Sequence, residues 1–402
     1  MSTVALSPRE ERRALIVLLT VIYFMIAGFG LVIPLLPFFA QAFDASPLLV
    51  AAMFSTFSLG QFVGEPFWGK LSDRIGRRPV LIITISGVAL SYAALAFAPN
   101  IWAALAIRFL NGIMAGNIST LQGVLADITP PDKRAGRMGI MGAAFSAGFT
   151  TGPAIGGFLA QPSRGALGFQ LPLLAAAAFA GLSVLAVIFL VRETRVQAEP
   201  SAVRQVRSAR LTEGFGHPII SRVVMISFIV VIGFAGIEAT YGLWTHARFG
   251  WGPRQIAMAF AVIGILGAVC QGWLCGRLAR SYGEARTLTG GLVLMLVGIA
   301  TQGLSPTWPV AILGFALVCV GQSLCFPNIS ALISRSAPPD RQGEMMGLNM
   351  SGMALARIGG PMLAGHLFTV VAPGAPFALS AVLILPALWF AWAVIGRSPR
   401  LA

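Results

Sequence analysis

The sequence predicts an all-α integral membrane protein with twelve transmembrane helices in two pseudo-symmetric six-helix halves. Three observations support this prediction. The 402 residues are 56% hydrophobic and only 10% charged, and a soluble domain of this size could not bury so much apolar surface. Apolar runs of the ~20 residues that a spanning helix requires recur along the whole chain. The second half also repeats features of the first in a nearly constant register.

Twelve apolar runs are long enough to be spans, and an even number places both termini on the same side of the membrane. The first run is too long for the core of a signal peptide and lacks a following cleavage site. We therefore expect spans at residues 14–40, 48–69, 80–98, 101–125, 138–160, 171–191, 219–245, 255–276, 287–304, 308–333, 345–370 and 375–396.

Basic residues are distributed unevenly between two sets of loops. The loops that precede even-numbered spans carry only Arg164, Arg248 and Arg254, whereas the other loops and the termini carry most of the Lys and Arg. Because Lys and Arg collect on the cytoplasmic side, we expect a multi-pass protein of the cell (inner) membrane with both termini cytoplasmic. The net charge of +14 is spread over these loops, which argues against a nucleic acid partner.

The longest polar stretch, residues 192–217, is expected to be a cytoplasmic linker between the halves 1–191 and 218–402. The repeat is clearest where Pro130-Pro131-Asp132 recurs 208 positions later as Pro338-Pro339-Asp340. Repeated six-helix halves are typical of transporters that bind their substrate between the halves, near the middle of the membrane.

Three motifs carry a resemblance to a known family. They are Gly69-x-Leu71-x-Asp73-Arg74-x-Gly76-Arg77-Arg78 after span 2, Arg108-x-x-x-Gly112 in span 4, and Gly148-x-x-x-Gly152-Pro153-x-x-Gly156-Gly157 in span 5. On these motifs the chain resembles the major facilitator superfamily over its full length, and within it the twelve-span drug–proton antiporters that include the tetracycline efflux proteins. The resemblance implies a proton-coupled antiporter that exports small amphipathic compounds by alternating access, as in drug or multidrug efflux and antibiotic resistance.

The motif after span 2 is expected to form a short, tight turn over residues 69–79, because glycine permits turning and close approach. The resemblance implies that its charged residues form a network that closes the cytoplasmic side, and we refer to this as the cytoplasmic gate. The alternative is a solvated signal for membrane orientation. The gate residues are Gly69, Asp73, Arg74, Gly76, Arg77 and Arg78.

Arg108 lies inside an apolar run, where a charged side chain is costly and usually functional. The resemblance implies that it tunes the protonation of a nearby acid. Alternatively, its side chain snorkels toward the outer surface.

The glycines of span 5 recur mostly at intervals of four residues, on one helix face. This pattern predicts close helix contact, and a proline within the helix can bend it. The antiporter motif comprises Gly148, Gly152, Pro153, Gly156 and Gly157.

A proton-coupled carrier requires a titratable group that meets both sides of the membrane in turn. Only Glu65 and Glu238 lie well within predicted spans, and Asp127 lies at the cytoplasmic end of span 4. We expect Glu238 to carry the proton, whereas Glu65 fits the cytoplasmic gate equally well. The tetracycline proteins have acids where this chain has Met25 and Ser91, so coupling is expected through Glu65 or Glu238, and tetracycline as substrate is in doubt.

Polar and aromatic residues inside the spans are candidates for substrate contact, although Asn and Gln also join helices. Arg357 could bind an anionic group or pair with Glu238. The candidates are Gln61, Asn111, Tyr241, Trp244, Gln322, Asn328 and Arg357.

The sequence contains no nucleophile–base set, HExxH motif or nucleotide-binding loop, so we do not expect an enzyme. It has no CxxC pair or histidine cluster, so no metal or cofactor is expected and a proton gradient supplies the energy. The expected partners are a small-molecule substrate, protons and the lipid bilayer, with the protein as a monomer. The alternative function is an importer or uniporter of a small metabolite, and the span 5 motif argues modestly against it.

Overall fold

The computed structural model describes residues 8–130, 133–191, 193, 217–338 and 341–395. Most of the predicted linker lies outside these residues, as do the Pro-Asp pairs 131–132 and 339–340. In the described part of the chain, the only regular secondary structure is helical.

Each predicted span coincides with a helical segment. In the first half, span 1 is Pro8–Val32, which continues through the 3-10 turn Ile33–Leu35 into Leu36–Gln41. It is followed by span 2 (Pro47–Ile75), span 3 (Arg77–Ala96), span 4 (Ile101–Ala115 and Ile118–Asp127), span 5 (Arg134–Leu159) and span 6 (Gln170–Leu190).

The second half follows the same order. Span 7 is Pro218–Phe249, and span 8 runs from Pro253–Val269 through the π-helical turn Cys270–Leu274 into Cys275–Tyr282. It is followed by span 9 (Glu284–Gly303), span 10 (Trp308–Ser336), span 11 (Gln342–Val370) and span 12 (Ala375–Ile395).

By length and composition, ten of the described helical segments can cross a membrane. The other two are spans 5 and 11, which carry Gly152-Pro153 and Gly360-Pro361. Glycine and proline in these spans take places that large apolar side chains fill elsewhere. The twelve-helix prediction is confirmed, although spans 5 and 11 are less apolar than the other ten.

The chain separates into two compact units. The described residues of unit 1 fall within Met1–Ala45, Thr56–Ala202 and Gly252–Gly264, and those of unit 2 within Ser46–Ser55, Val203–Trp251 and Ile265–Ala402. Unit 1 therefore includes the first turns of span 8, and unit 2 includes the first turns of span 2. The division into halves at residues 192–217 stays a prediction.

Within unit 1, spans 2 and 4 pack through glycines. A Cβ added to Gly64 would strike the backbone of Ile113, and one added to Gly112 would strike the backbone of Phe57. Glycines spaced by four on both helices let the two backbones approach closely. This contact fixes the position of Arg108, which lies one turn before Gly112.

The turn between spans 2 and 3 is shorter than predicted. Span 2 continues as a helix to Ile75 and span 3 begins at Arg77, so Gly69 is helical and the turn consists of Gly76 alone. Gly76 has φ +103°, a conformation that residues with a Cβ rarely adopt. Most of the charged motif therefore projects from helix ends rather than from a loop.

Candidate functional site

Arg77 is the centre of a charged network at the ends of spans 2, 3 and 4. Its Nη1 donates to Ser72 Oγ at 2.7 Å and lies 3.1 Å from Asp73 Oδ1, while its Nε lies 3.4 Å from Asp127 Oδ2. The Arg77 side chain is 16% exposed, whereas Asp127 is 33% and Asp73 54% exposed. The guanidinium is therefore partly shielded from water, and the pair with Asp127 is more shielded than the pair with Asp73. Charge-assisted hydrogen bonds are stronger where water is partly excluded. Asp127, which the sequence suggested for proton coupling, lies in this network.

The remaining charged residues of the motif have separate positions. Arg74 is exposed at the end of span 2. The guanidinium of Arg78 turns toward span 6 and donates from Nη2 to the backbone carbonyl of Ile188 at 2.5 Å. The structure thus brings Asp73 and Arg77 together and places Arg74 and Arg78 elsewhere.

Glu193, just after span 6, contacts the charged motif and was not predicted from the sequence. Its carboxylate accepts the backbone N–H groups of Arg77 at 2.9 Å and Arg78 at 3.1 Å. These groups begin span 3, where the helix dipole favours a negative charge. A Cβ on Gly76 would lie 2.5 Å from the same carboxylate. The motif glycine therefore makes room for Glu193, a contact across more than a hundred residues that no local pattern reveals.

Glu65 is half-buried on span 2, one helical turn before Gly69. Gly116 of span 4 packs against its backbone, and a Cβ there would lie 2.6 Å from the Glu65 amide nitrogen. The residue is therefore held at the contact between spans 2 and 4.

Arg108 is buried inside unit 1, with 1% of its surface exposed. Its Nη1 donates to Asn111 Oδ1 at 3.2 Å, and its guanidinium carbon lies 4.4 Å from the centre of the Phe57 ring. Tyr92 of span 3 also lies within electrostatic range. Snorkelling toward the surface is therefore wrong as an explanation of this side chain. Asn111, a candidate for substrate contact, is buried as its hydrogen-bond partner.

The glycines of span 5 divide between two neighbours within unit 1. Added Cβ atoms at Gly148, Gly152 and Gly156 would meet the backbone of span 1, whereas one at Gly157 would meet the side chain of Ala257 in span 8. The expectation of a single helix face holds for the first three glycines and is wrong for Gly157. Pro153 lies inside a continuous helix and contacts span 1, where a Cβ on Gly30 would lie 3.2 Å from its Cδ.

Glu238 is half-buried in the second half of span 7. Two ionisable side chains of unit 2 lie within electrostatic range of its carboxylate, Arg357 of span 11 and Cys319 of span 10. Within the described residues, neither Glu238 nor Arg357 forms a hydrogen bond or a close ion pair. Glu238 and Arg357 are thus within electrostatic range of each other but do not form a direct ion pair.

Tyr241 and Trp244 lie in an aromatic cluster inside unit 2. They are 1% and 2% exposed, and their ring centres lie 4.4 Å from Phe315 and 4.7 Å from Phe377, respectively. Asn328 is also buried, and its Nδ2 donates to the Leu324 carbonyl at 2.7 Å. Helix packing accounts for all three positions.

The other candidates for substrate contact are accessible. Gln61 and Gln322 are half-buried and Arg357 is exposed. Substrate contact stays a prediction for the whole candidate set. In the part of the chain that the structure describes, no three His, Cys, Asp or Glu residues are grouped so that they could hold a metal ion.

Comparison with known proteins identifies the family. The model of the major facilitator superfamily matches residues 17–289 and 272–402. The chain belongs to the major facilitator superfamily. It is 30% identical to the class C tetracycline resistance protein of Escherichia coli, over 90% of this chain and 91% of that one. It is also 28% identical to multidrug resistance protein 2 of Bacillus subtilis, over 90% of both chains.

Solved structures agree with this assignment. The human organic anion transporter MFSD10 (TETRAN) superposes with a TM-score of 0.71 at 27% identity, covering 96% of this chain and all of that one. A bacterial homologue of the lysosomal transporter Spinster has a TM-score of 0.80 at 15% identity, covering 98% of this chain and all of that one, which shows the shared fold. The chain is thus a multi-pass membrane transporter rather than a member of an enzyme family.

This superfamily member has no acid at two positions where the resemblance leads one to expect them. Met25 is half-buried in span 1, and Ser91 Oγ in span 3 donates to the Gly87 carbonyl at 2.6 Å. A thioether and an aliphatic hydroxyl do not ionise near neutral pH, so neither can take the place of a titrating carboxylate. Among the described residues, Glu65 and Glu238 are therefore the acids that lie well within the predicted spans, away from the helix ends.

Proposed function

We propose that this protein exports small amphipathic compounds from the cytoplasm in exchange for protons, by alternating access between its two halves. The observation that carries the proposal is Glu238, an acid inside span 7 with a cation, Arg357, in electrostatic range. It lies about three helical turns before the end of the span. An ionisable side chain within a span is energetically costly, and such residues therefore usually have a function.

Glu238 can exist in two states that differ in their interaction with Arg357. The ionised carboxylate attracts the guanidinium, whereas the protonated carboxyl does not. Because the two groups form no close ion pair in the described residues, either a proton or a substrate group can change their interaction without breaking a buried hydrogen bond. A proton taken up on one side then alters the charge that the substrate meets, which couples the two movements.

The packing of span 5 supports antiport. Gly148, Gly152 and Gly156 hold span 5 against span 1 along three successive turns. Two helices joined this closely move as one body, and a continuous contact leaves little space for ions to leak. The network around Arg77 supports a gate on the cytoplasmic side, which is the side on which the distribution of basic residues predicts both termini.

The relatives suggest two classes of substrate. Tetracycline and multidrug resistance proteins favour an amphipathic drug, and the solved organic anion transporter favours an anion. The accessible cation at Arg357 is the specific observation that favours an organic anion. Such a substrate would suit the alternative function, a metabolite importer or uniporter, as well as export.

The test compares Glu238→Gln with Glu65→Gln in proteoliposomes carrying an imposed pH gradient. Norfloxacin, tetracycline and ethidium serve as cationic or zwitterionic probes, and benzoate serves as the anionic probe. We expect Glu238→Gln to abolish accumulation driven by the gradient while exchange without a gradient continues, because a glutamine keeps the shape and cannot carry a proton. Glu65→Gln should retain gradient-driven accumulation. Gradient-driven accumulation that survives in Glu238→Gln would refute the assignment.

A further inference from the structure

We propose that Glu284 and Arg335 form a second cytoplasmic ion pair, the charge-reversed equivalent of Arg77 and Asp127, which positions the turn between spans 8 and 9 during alternating access. This inference rests on the proposed alternating access. It concerns unit 2, whereas the network around Arg77 belongs to unit 1.

The two turns have the same backbone geometry. Gly76 precedes span 3 with φ +103° and ψ +161°, and Gly283 precedes span 9 with φ +83° and ψ +158°. Each is a single glycine between two helices. Gly283 lies 207 positions after Gly76, so the repeat preserves the turn as well as the helices.

The residue directly after each turn glycine begins span 3 or span 9. Its side chain contacts the end of the next span, span 4 or span 10. Arg77 contacts Asp127 at 3.4 Å, and Glu284 Oε1 contacts Arg335 Nη1 at 2.8 Å. Glu284 lies 207 positions after Arg77, and Arg335 lies 208 positions after Asp127. The member at the turn is 16% exposed in both pairs.

By sequence alone, the second copy looks like a loss of the motif, because an arginine of the first copy is replaced by Glu284. The structure shows that its partner has changed sign as well. Both copies therefore retain one attraction between the start of the third helix and the end of the fourth helix of their half.

The reversal also accounts for the role of Glu193 in the first copy. The start of a helix favours a negative charge and its end favours a positive one. Glu284 lies in the first turn of span 9 and Arg335 in the last turn of span 10, so both match the dipoles. Arg77 and Asp127 have the opposite order, and Glu193 supplies the negative charge at the start of span 3.

The exposed position of the Glu284–Arg335 pair suits a role in positioning the turn between spans 8 and 9 rather than in stabilising the whole protein. The Arg335 side chain is 58% exposed, and exposed ion pairs contribute little to global stability. Losing the pair should therefore change the movement of the turn more than the unfolding temperature.

The test is a charge swap that compares Glu284→Arg, Arg335→Glu and the double variant. The parent has its four cysteines replaced by serine and carries a single reporter cysteine in place of Gln322. We measure the rate at which a membrane-impermeant maleimide labels this cysteine from the cytoplasmic side, and the unfolding temperature. Arg286→Glu is the matched control, since it reverses a charge on the same helix, and Arg286 has no ion-pair partner among the described residues.

Each single variant should speed labelling about ten-fold through a loosened cytoplasmic side, with the double variant within about three-fold of the parent. The reporter cysteine of Arg286→Glu should be labelled at the rate of the parent. The unfolding temperatures of the four variants should be similar to that of the parent. Single variants that label like the parent, or a double variant as altered as the singles, would overturn the proposal. Labelling requires neither substrate nor proton gradient, so this outcome is independent of whether Glu238 couples transport to protons.

Discussion

Arg77 joins three spans through one guanidinium, and Gly123 of span 4 leaves the space for it. A Cβ on Gly123 would lie 2.7 Å from the Arg77 Cζ. We expect Gly123→Ala to lower the maximal transport rate about ten-fold, because the flexible guanidinium shifts away from Asp127 at little cost in stability. Transport assays and thermal unfolding measure the two effects.

The matched control for this prediction is Gly139→Ala. No atom lies within 4 Å of an added Cβ at Gly139, so transport should be unchanged. Equal transport by both variants would argue against a role for the position of Arg77.

Gly76 has two separate reasons to be glycine, its positive φ and the carboxylate of Glu193 beside it. We expect Gly76→Ala to lower the free energy of unfolding by about 1 kcal/mol through backbone strain alone. Gly76→Ala should also lower the transport rate, because the added Cβ displaces Glu193. Glu193→Ala should lower the transport rate in the same way without the loss of stability that comes from backbone strain. Equal effects of the two variants on stability would contradict this separation.

At this scale the sequence could indicate residues but not their partners. The charged motif singled out Asp73 and Arg77, because a carboxylate among arginines is unusual in an apolar chain, and the structure pairs the two side chains. The contact of Glu193 with span 3 and that of Glu284 with Arg335 depend on how distant helices meet. Burial of Tyr241 and Trp244 in an aromatic cluster likewise depends on spans 10 and 12.

Span 5 depends on span 1 for its position, and its glycines set the distance between the two helices. A Cβ at Gly152 would fall on the backbone of Ala27 and Leu31, which cannot move as a side chain does. We expect Gly152→Ala to destabilise the protein by about 1–3 kcal/mol, measured by thermal unfolding in detergent. Gly181→Ala in span 6, where no atom lies within 4 Å of the added Cβ, should be neutral or slightly stabilising. A destabilised Gly181→Ala variant would show that helix glycines matter for another reason.

The spans themselves were predictable because each apolar run has the length of a bilayer. The ends of the spans were less predictable, because the helices continue past the apolar run into charged residues. Span 2, for example, remains helical to Ile75. Two interior features have no signal in hydropathy. They are the break in span 4 after Ala115 and the π-helical turn Cys270–Leu274 in span 8.

At the scale of the whole molecule, the two units have corresponding turns and ion pairs but differ in the charged residues inside their spans. Each has a single-glycine turn and an ion pair at corresponding positions. In unit 2, Glu238 lies within a span and has Arg357 in electrostatic range, whereas Glu65 of unit 1 lies at the contact between spans 2 and 4. Unit 1 instead buries a cation, Arg108, against Phe57 and Asn111. Under the proposed mechanism, the second half supplies the titrating group, Glu238.

Simultaneous recording of substrate and proton movement in proteoliposomes tests the proton-coupled export mechanism most directly. The probe is whichever of norfloxacin, tetracycline, ethidium or benzoate the parent protein moves, and a pH-sensitive dye reports the lumen. With an acidic lumen, we expect the substrate to accumulate as the lumen becomes more alkaline, and neither gradient-driven accumulation nor alkalinisation to occur in Glu238→Gln. Substrate that moves in the same direction as protons, or moves equally with no gradient, would contradict proton-coupled export.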